Sequence, residues 1–226
     1  MASKSILWQL LACSAIALTG CPGTDMNNSN TKTHVYVPDT TDMPKLALKW
    51  EGPLDESTVS HLGPFGVTEG GGGFEETATE YELHLKKGGD PIYALAGGMV
   101  VYIQAAISPG AAGEVEGVWV RYGRNFVIKY VHLVDPLVTE GQTISAGDRL
   151  GTVASYNQGG FWEVEVQVKE GDKIFAYPWL DFCDTATRAT LEGLWTNSAI
   201  THGVAKAPWT DLERYDVTER TRPGIF

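Results

Sequence analysis

The sequence predicts an all-β protein: a compact antiparallel sheet of the barrel or sandwich kind, with one short helix near the C-terminus. Three observations lead there. Between residues 92 and 182, short β-branched or aromatic runs follow one another, among them Met99-Val100-Val101-Tyr102-Ile103 and Phe126-Val127-Ile128-Lys129-Tyr130. Such runs fit a pleated, half-buried surface. Turn formers punctuate them at Gly97-Gly98, Pro109-Gly110, Gly123, Asp135-Pro136, Gly141, Gly147 and Gly159-Gly160, and close-spaced punctuation of this kind belongs to sandwiches and barrels. The chain also holds 26 glycines in 226 residues, which suits many tight turns.

Reading along the chain, residues 1–20 carry one early cation, Lys4, and then an apolar run over 6–18, the outline of a secretion signal. The run ends Leu18-Thr19-Gly20-Cys21. This resembles the bacterial lipobox, which implies that Cys21 is lipidated and becomes the first residue of the mature chain. The acyl chains would then anchor the protein to a membrane, at about 0.8 kcal/mol per buried CH₂. Residues 21–44, with the polar tract Asn27-Asn28-Ser29-Asn30, read as a flexible tether. Residues 45–184 read as the folded domain. Four glycines at 70–73 lack the helix and the Lys-Ser/Thr of a phosphate cradle and read as a surface loop. The helix is expected over 185–195, where Ala186, Ala189, Leu191, Leu194 and Trp195 form a loose apolar stripe. It opens a C-terminal extension over 185–226, whose end has no periodicity to assign.

Composition bounds the function. Hydrophobic residues make up 43% and charged residues 20%, enough for a core and too apolar for wholesale disorder. With 17 basic and 28 acidic residues the net charge is -11, which argues against nucleic acid as a partner. Loss of residues 1–20 would remove one Lys and no acid, leaving a net of -12. Of three cysteines, Cys13 would leave with the signal and Cys21 would be acylated. Cys183 is then alone and reads as a small buried apolar residue.

Four segments in order resemble the lysostaphin-type, LytM-like peptidase domain of bacterial cell walls. They are Pro64-Phe65-Gly66; the run from Pro91-Ile92-Tyr93-Ala94 to Met99-Val100; Tyr130-Val131-His132-Leu133 with Glu140-Gly141-Gln142 and Ala146-Gly147-Asp148 behind it; and Glu163-Val164-Glu165-Val166 with Pro178 beyond. The resemblance covers about 64–182. It implies a compact antiparallel β-fold whose groove holds zinc and cuts peptide cross-bridges in peptidoglycan. The zinc ligands of that family are a His-x-x-x-Asp pair and the second His of His-x-His. The first His of that pair and the His of Tyr-x-His-Leu assist attack by water. Residues i, i+2 and i+4 of a strand share a face, so such spacings can converge on one ion, and three ligands plus water bring that water's pKa near 7.

This chain departs at most of those positions. Where the family has His-x-His it has Phe161-Trp162-Glu163. The His-x-x-x-Asp corresponds to Glu80 and His84 if one residue is gapped before Pro91, and to Thr79 and Leu83 if not. Only His132 stands where the family has a catalytic residue. Two readings follow. In one, Glu80, His84 and Glu163 form an altered metal site with a tilt toward harder ions. In the other, Glu80, Glu82 and His84 are the solvent face of a strand whose opposite face is Tyr81, Leu83 and Leu85. Phe161 cannot transfer a proton, and such a group typically contributes 10²–10⁴-fold in rate. His132 reads either as the surviving acid/base or as a structural histidine. The lack of any Met beside a Lys argues against a biotinyl or lipoyl carrier, the other fold that the Gly-turn rhythm over 138–151 suits.

The expectation is a lipid-anchored protein of the bacterial cell envelope with a degenerate LytM-like domain. It would bind peptidoglycan or regulate a wall hydrolase without cutting. The alternative is a divergent metallo-endopeptidase using Glu80, His84 and Glu163, with His132 as acid/base. No cofactor is expected, with zinc the ion if the altered site binds.

Overall fold

The structure, a computed structural model, describes residues 43–55, 57–63, 68–70, 75–77, 81–106, 109–157, 159–198 and 214–226. The signal, residues 21–42 of the tether with Cys21, and Glu80 lie outside the described residues, as does Pro64-Phe65-Gly66; Met43, at the tether's end, packs against the core. Thirteen strands are described: β1 Val59–Gly63, β2 Thr68–Gly70, β3 Glu75–Thr77, β4 Tyr81–Leu85, β5 Pro91–Tyr93, β6 Gly98–Ala105, β7 Glu114–Tyr122, β8 Phe126–Val134, β9 Thr143–Ile144, β10 Arg149–Tyr156, β11 Gly159–Glu170, β12 Lys173–Tyr177 and β13 Tyr215–Asp216. The one α-helix among them, α1, spans Thr185–Ser198, three residues longer than its apolar stripe.

Eleven strands form one sheet in the order β1-β4-β11-β10-β8-β7-β6-β9, with β5, β12 and β13 attached beside this path. All of its strand pairings are antiparallel. The pairing of β11 changes along its length. Residues 163–168 pair with β8, while residues 159–161 pair with β10. β8 makes the complementary change, leaving β11 after Val131 and taking up β10 at Leu133. The two strands therefore fork, and β10 enters between them.

One face of the sheet carries the core. Phe126, Ile128 and Tyr130 of β8, and Trp162, Val164, Val166 and Val168 of β11, all point into it. That period of two is what the sequence alternation requires. Tyr130 is fully buried, and its hydroxyl accepts a hydrogen bond of 2.8 Å from the Leu95 N–H. Burial pushes the phenol well above its ordinary range and keeps it neutral. Tyr130→Phe would leave the buried Leu95 N–H without its acceptor, and a loss of about 1–3 kcal/mol is expected in urea unfolding.

Elements beyond residue 184 share this core. Leu191 and Leu194 of α1 and Val217 belong to it, and α1 packs on β1. Asp184 caps α1 by accepting the Thr187 N–H at 2.7 Å, a donor that holds the carboxyl below its usual range. Cys183 is buried and makes no disulfide, as expected of a small apolar side chain. The C-terminal residues cover part of the opposite face, where Ile225 packs with Trp119 and Val127. Thr221 donates to buried Gln167 beside them. None of the helices among the described residues is long and apolar enough to cross a membrane.

Candidate functional site

The fork between β8 and β11 builds the site. Phe126, Ile128 and Tyr130 face the core at even positions, but the next core residue is Leu133, an odd one. The alternation slips by one residue at Val131-His132. His132 absorbs the slip with φ at 58°, in the left-handed region. Histidine tolerates that region better than most residues, yet the conformation still costs about 1–3 kcal/mol. Its effect is to turn the imidazole away from the core into a groove of about 650 Å³. His84, Glu114, Tyr156, Gly159 and Phe161 line the same groove.

On β4 and β11 the register sets the other groups. His84 lies opposite Phe161 and Glu82 lies opposite Glu163. These four share one face, because direct cross-strand partners and i,i+2 neighbours do so. His84 Nε2 lies 2.9 Å from Glu82 Oε2. Glu82 is only 8% exposed and half-buried His84 lines the groove, which corrects the reading of Glu82 and His84 as a solvent face. The Phe161 ring touches both imidazoles, with centroids 4.5 Å from His84 and 4.8 Å from His132. A phenyl ring therefore stands between the two imidazoles, at the position where the family resemblance implies a third.

Behind His132 lies a network that the sequence gave no reason to expect. Glu114, at the start of β7, accepts the His132 Nδ1–H at 2.9 Å and the backbone N–H of Gly110 and Ala111 at 2.6 and 2.9 Å. The Tyr156 hydroxyl donates to the same carboxylate and lies 3.1 Å from His132 Nδ1. Burial works against the charge on Glu114. The donors from Tyr156, His132, Ala111 and Gly110 outweigh it, so the carboxyl titrates below its usual range. Burial and the neighbouring Glu114 push the Tyr156 phenol up, so it keeps its proton. An ionised carboxylate only accepts. With the single Tyr156 proton also given to Glu114, Nδ1 of His132 must carry its own proton. Its Nε2 lies 3.7 Å from Glu163 Oε2. The proton on Nδ1 is assigned from these partners.

Of the sequence-based candidates, the fold gathers His84, His132 and Glu163 around Phe161, and Glu80 lies outside the described residues. Among the described residues, no group of three or more His, Cys, Asp or Glu side chains is placed to hold a metal ion. His84 Nε2 is engaged by Glu82, and Phe161 fills the space between the imidazoles. The described donors do not by themselves fit a zinc ion. Glu82, Glu114 and Tyr156 are additions from the structure. Glu114 lies 18 residues before His132 in no recognisable motif, and only the β7–β8 pairing brings them together.

Residues 81–176 match the profile of Peptidase family M23. Among solved structures, one similar to this chain is a variant of the catalytic domain of the prophage-encoded M23 protein EnpA from Enterococcus faecalis. It is 19% identical, with 56% of this chain and 87% of that one covered and a TM-score of 0.38. The catalytic domain of lysostaphin from Staphylococcus simulans is 18% identical over 49% of this chain and 82% of that one, with a TM-score of 0.39. A zinc-containing peptidase from Vibrio cholerae is 18% identical over 55% of this chain and 36% of that one, with a TM-score of 0.40. No curated protein matches the chain.

Proposed function

We propose that the protein, whose residues 81–176 match Peptidase family M23, is a lipid-anchored envelope component that binds peptidoglycan peptides, or regulates a wall hydrolase, without cutting. The observation that carries this is the Phe161 ring packed between His84 and His132. It removes an acid/base group worth about 10²–10⁴-fold in rate. It also occupies the space in which the groove's imidazoles would have to converge on an ion or a water. What remains is a lined groove with an aromatic floor and oriented polar groups, the composition of a binding site. His132 contributes an imidazole held in place by Glu114, with Tyr156 beside it. The chain outside the described residues supplies the membrane link through Cys21 in this reading.

Retention on purified peptidoglycan tests it. The full chain is expected to co-sediment with the wall material, and His132→Ala to weaken retention by about tenfold. No retention, together with no effect on any wall hydrolase, would overturn the proposal. A divergent metallo-endopeptidase is the second reading, and the Glu114-braced imidazole favours it, since a positioned histidine is what acid/base catalysis requires.

A further inference from the structure

We infer that the outer face of the sheet is a docking site for a short segment carrying arginine and a bulky aliphatic side chain, filled here in cis by residues 219–226 acting as a releasable arm.

The seat is one row across four strands. Glu165 of β11 lies opposite Lys129 of β8, Lys129 opposite Trp119 of β7, and Trp119 opposite Tyr102 of β6. Direct cross-strand partners share a face, and this face is the reverse of the one through which Trp162, Val164 and Val166 enter the core. Lys129 leans over the Trp119 ring, with Nζ 5.5 Å from its centroid. The arm crosses the row. Arg220 lies 3.9 Å from Glu165 at one end. At the other, the Arg222 guanidinium sits 3.7 Å from the centre of the Tyr102 ring, where a cation is attracted to the aromatic face. Between them Ile225 is buried on Trp119 and Val127.

Three features make the arm separable from the domain. Ile225, Trp119 and Val127 form a cluster of their own, while Val217, just before the arm, belongs to the main core. A satellite cluster of this size can open while the main core stays closed. The face beneath the arm buries Glu165 and Gln167, at 3% and 2% exposure, whereas the core face of the same strand buries Trp162, Val164, Val166 and Val168. Polar groups regain water when uncovered, so lifting the arm costs less than opening the core face. Finally, the Trp119 indole N–H is buried with no acceptor among the described residues. The arm leaves that donor unused, and a segment that supplied an acceptor would compete with it.

The probe is a synthetic peptide of residues 218–226, labelled at its N-terminus and titrated into the full chain. In the wild type the tethered arm acts at a local concentration of order millimolar and holds the peptide off. Ile225→Asp in the full chain puts a charge into the satellite cluster and releases the arm, while Val217 keeps its place in the core. The expected result is peptide binding about tenfold tighter to Ile225→Asp than to wild type, and lost when the peptide itself carries Ile225→Asp. Arg222→Ala in the full chain, a milder release, is expected to fall between. Native-state hydrogen exchange on the wild type needs no variant to fold. The Thr221 amide, which donates to the Val217 carbonyl at 3.0 Å, is expected to exchange about a hundredfold faster than the Ile128 amide of the core. Equal peptide binding to wild type and Ile225→Asp, or binding to neither, would overturn the docking site. A common exchange rate for Thr221 and Ile128 would overturn the releasable arm, since both would then open only with the whole domain.

Discussion

Glu114→Ala is expected to destabilise the protein by about 3–5 kcal/mol, the range for breaking a buried charged network from one side. The carboxylate is 5% exposed at its side chain and accepts from His132, Tyr156, Gly110 and Ala111. Alanine leaves all four donors without that acceptor; the exposed Gly110 N–H can turn to water, while each of the three part-buried donors costs up to about 1–3 kcal/mol unless water enters. The left-handed backbone at His132 would lose its side-chain restraint as well. Denaturant unfolding of the wild type, Glu114→Ala and Glu114→Gln measures this, with the glutamine variant expected in between. The native Glu114 carboxyl titrates below its ordinary value. Its contribution is therefore present above the ordinary carboxylate range and is lost as pH falls through the native value. Thermal melts of the wild type are expected to drop more steeply below about pH 4.3 than those of Glu114→Gln. Parallel curves would show that the carboxylate is not held by the network.

The second large effect is expected at Gly159, where β10 hands over to β11. Its φ is 129°, and an added Cβ would lie 2.1 Å from the Leu85 carbonyl oxygen. That contact is with backbone, so no side chain can rotate away. Gly159→Ala must push β4 from β11 and strain its own backbone, together about 2–5 kcal/mol. The displaced strand carries His84, so the His84–Phe161 contact should open and wall binding should fall with stability. Gly171, whose φ is 60° with nothing near its Cβ, is the control. Gly171→Ala carries backbone strain alone and is expected to leave wall binding unchanged.

Local signals made the strands readable. Phe126 to Tyr130 alternate as a strand whose one face is buried, and Gly123, Gly141 and Gly147 occupy left-handed positions that turns demand. The helix was legible from its stripe but not at its end, since polar residues after Trp195 carry no periodic signal. The site was legible only where a residue stood inside a motif. His132 and Glu163 were singled out that way, and the fold brings them near each other. Glu114 and Tyr156 were not, because their connection to His132 exists only through strand pairing across 18 and 24 residues. Glu82 was misread because alternation predicts which face a residue takes, not whether that face is covered. The slip at His132 was equally hidden, since nothing in Tyr130-Val131-His132-Leu133 shows that β10 enters there. The segment 214–226, with no periodicity of its own, takes its place from the sheet, and Ile225 finds Trp119 and Val127.

The claim at the centre of this account is that Phe161 converts a peptidase-type groove into one that holds its peptide without cutting it. The release of new amino groups from purified peptidoglycan by the zinc-saturated full chain tests this most directly. The account predicts release no faster than from wall material alone, while the protein stays bound to the wall. Steady release that depends on zinc, and that Glu163→Ala abolishes, would contradict it and make the protein a working metallo-endopeptidase.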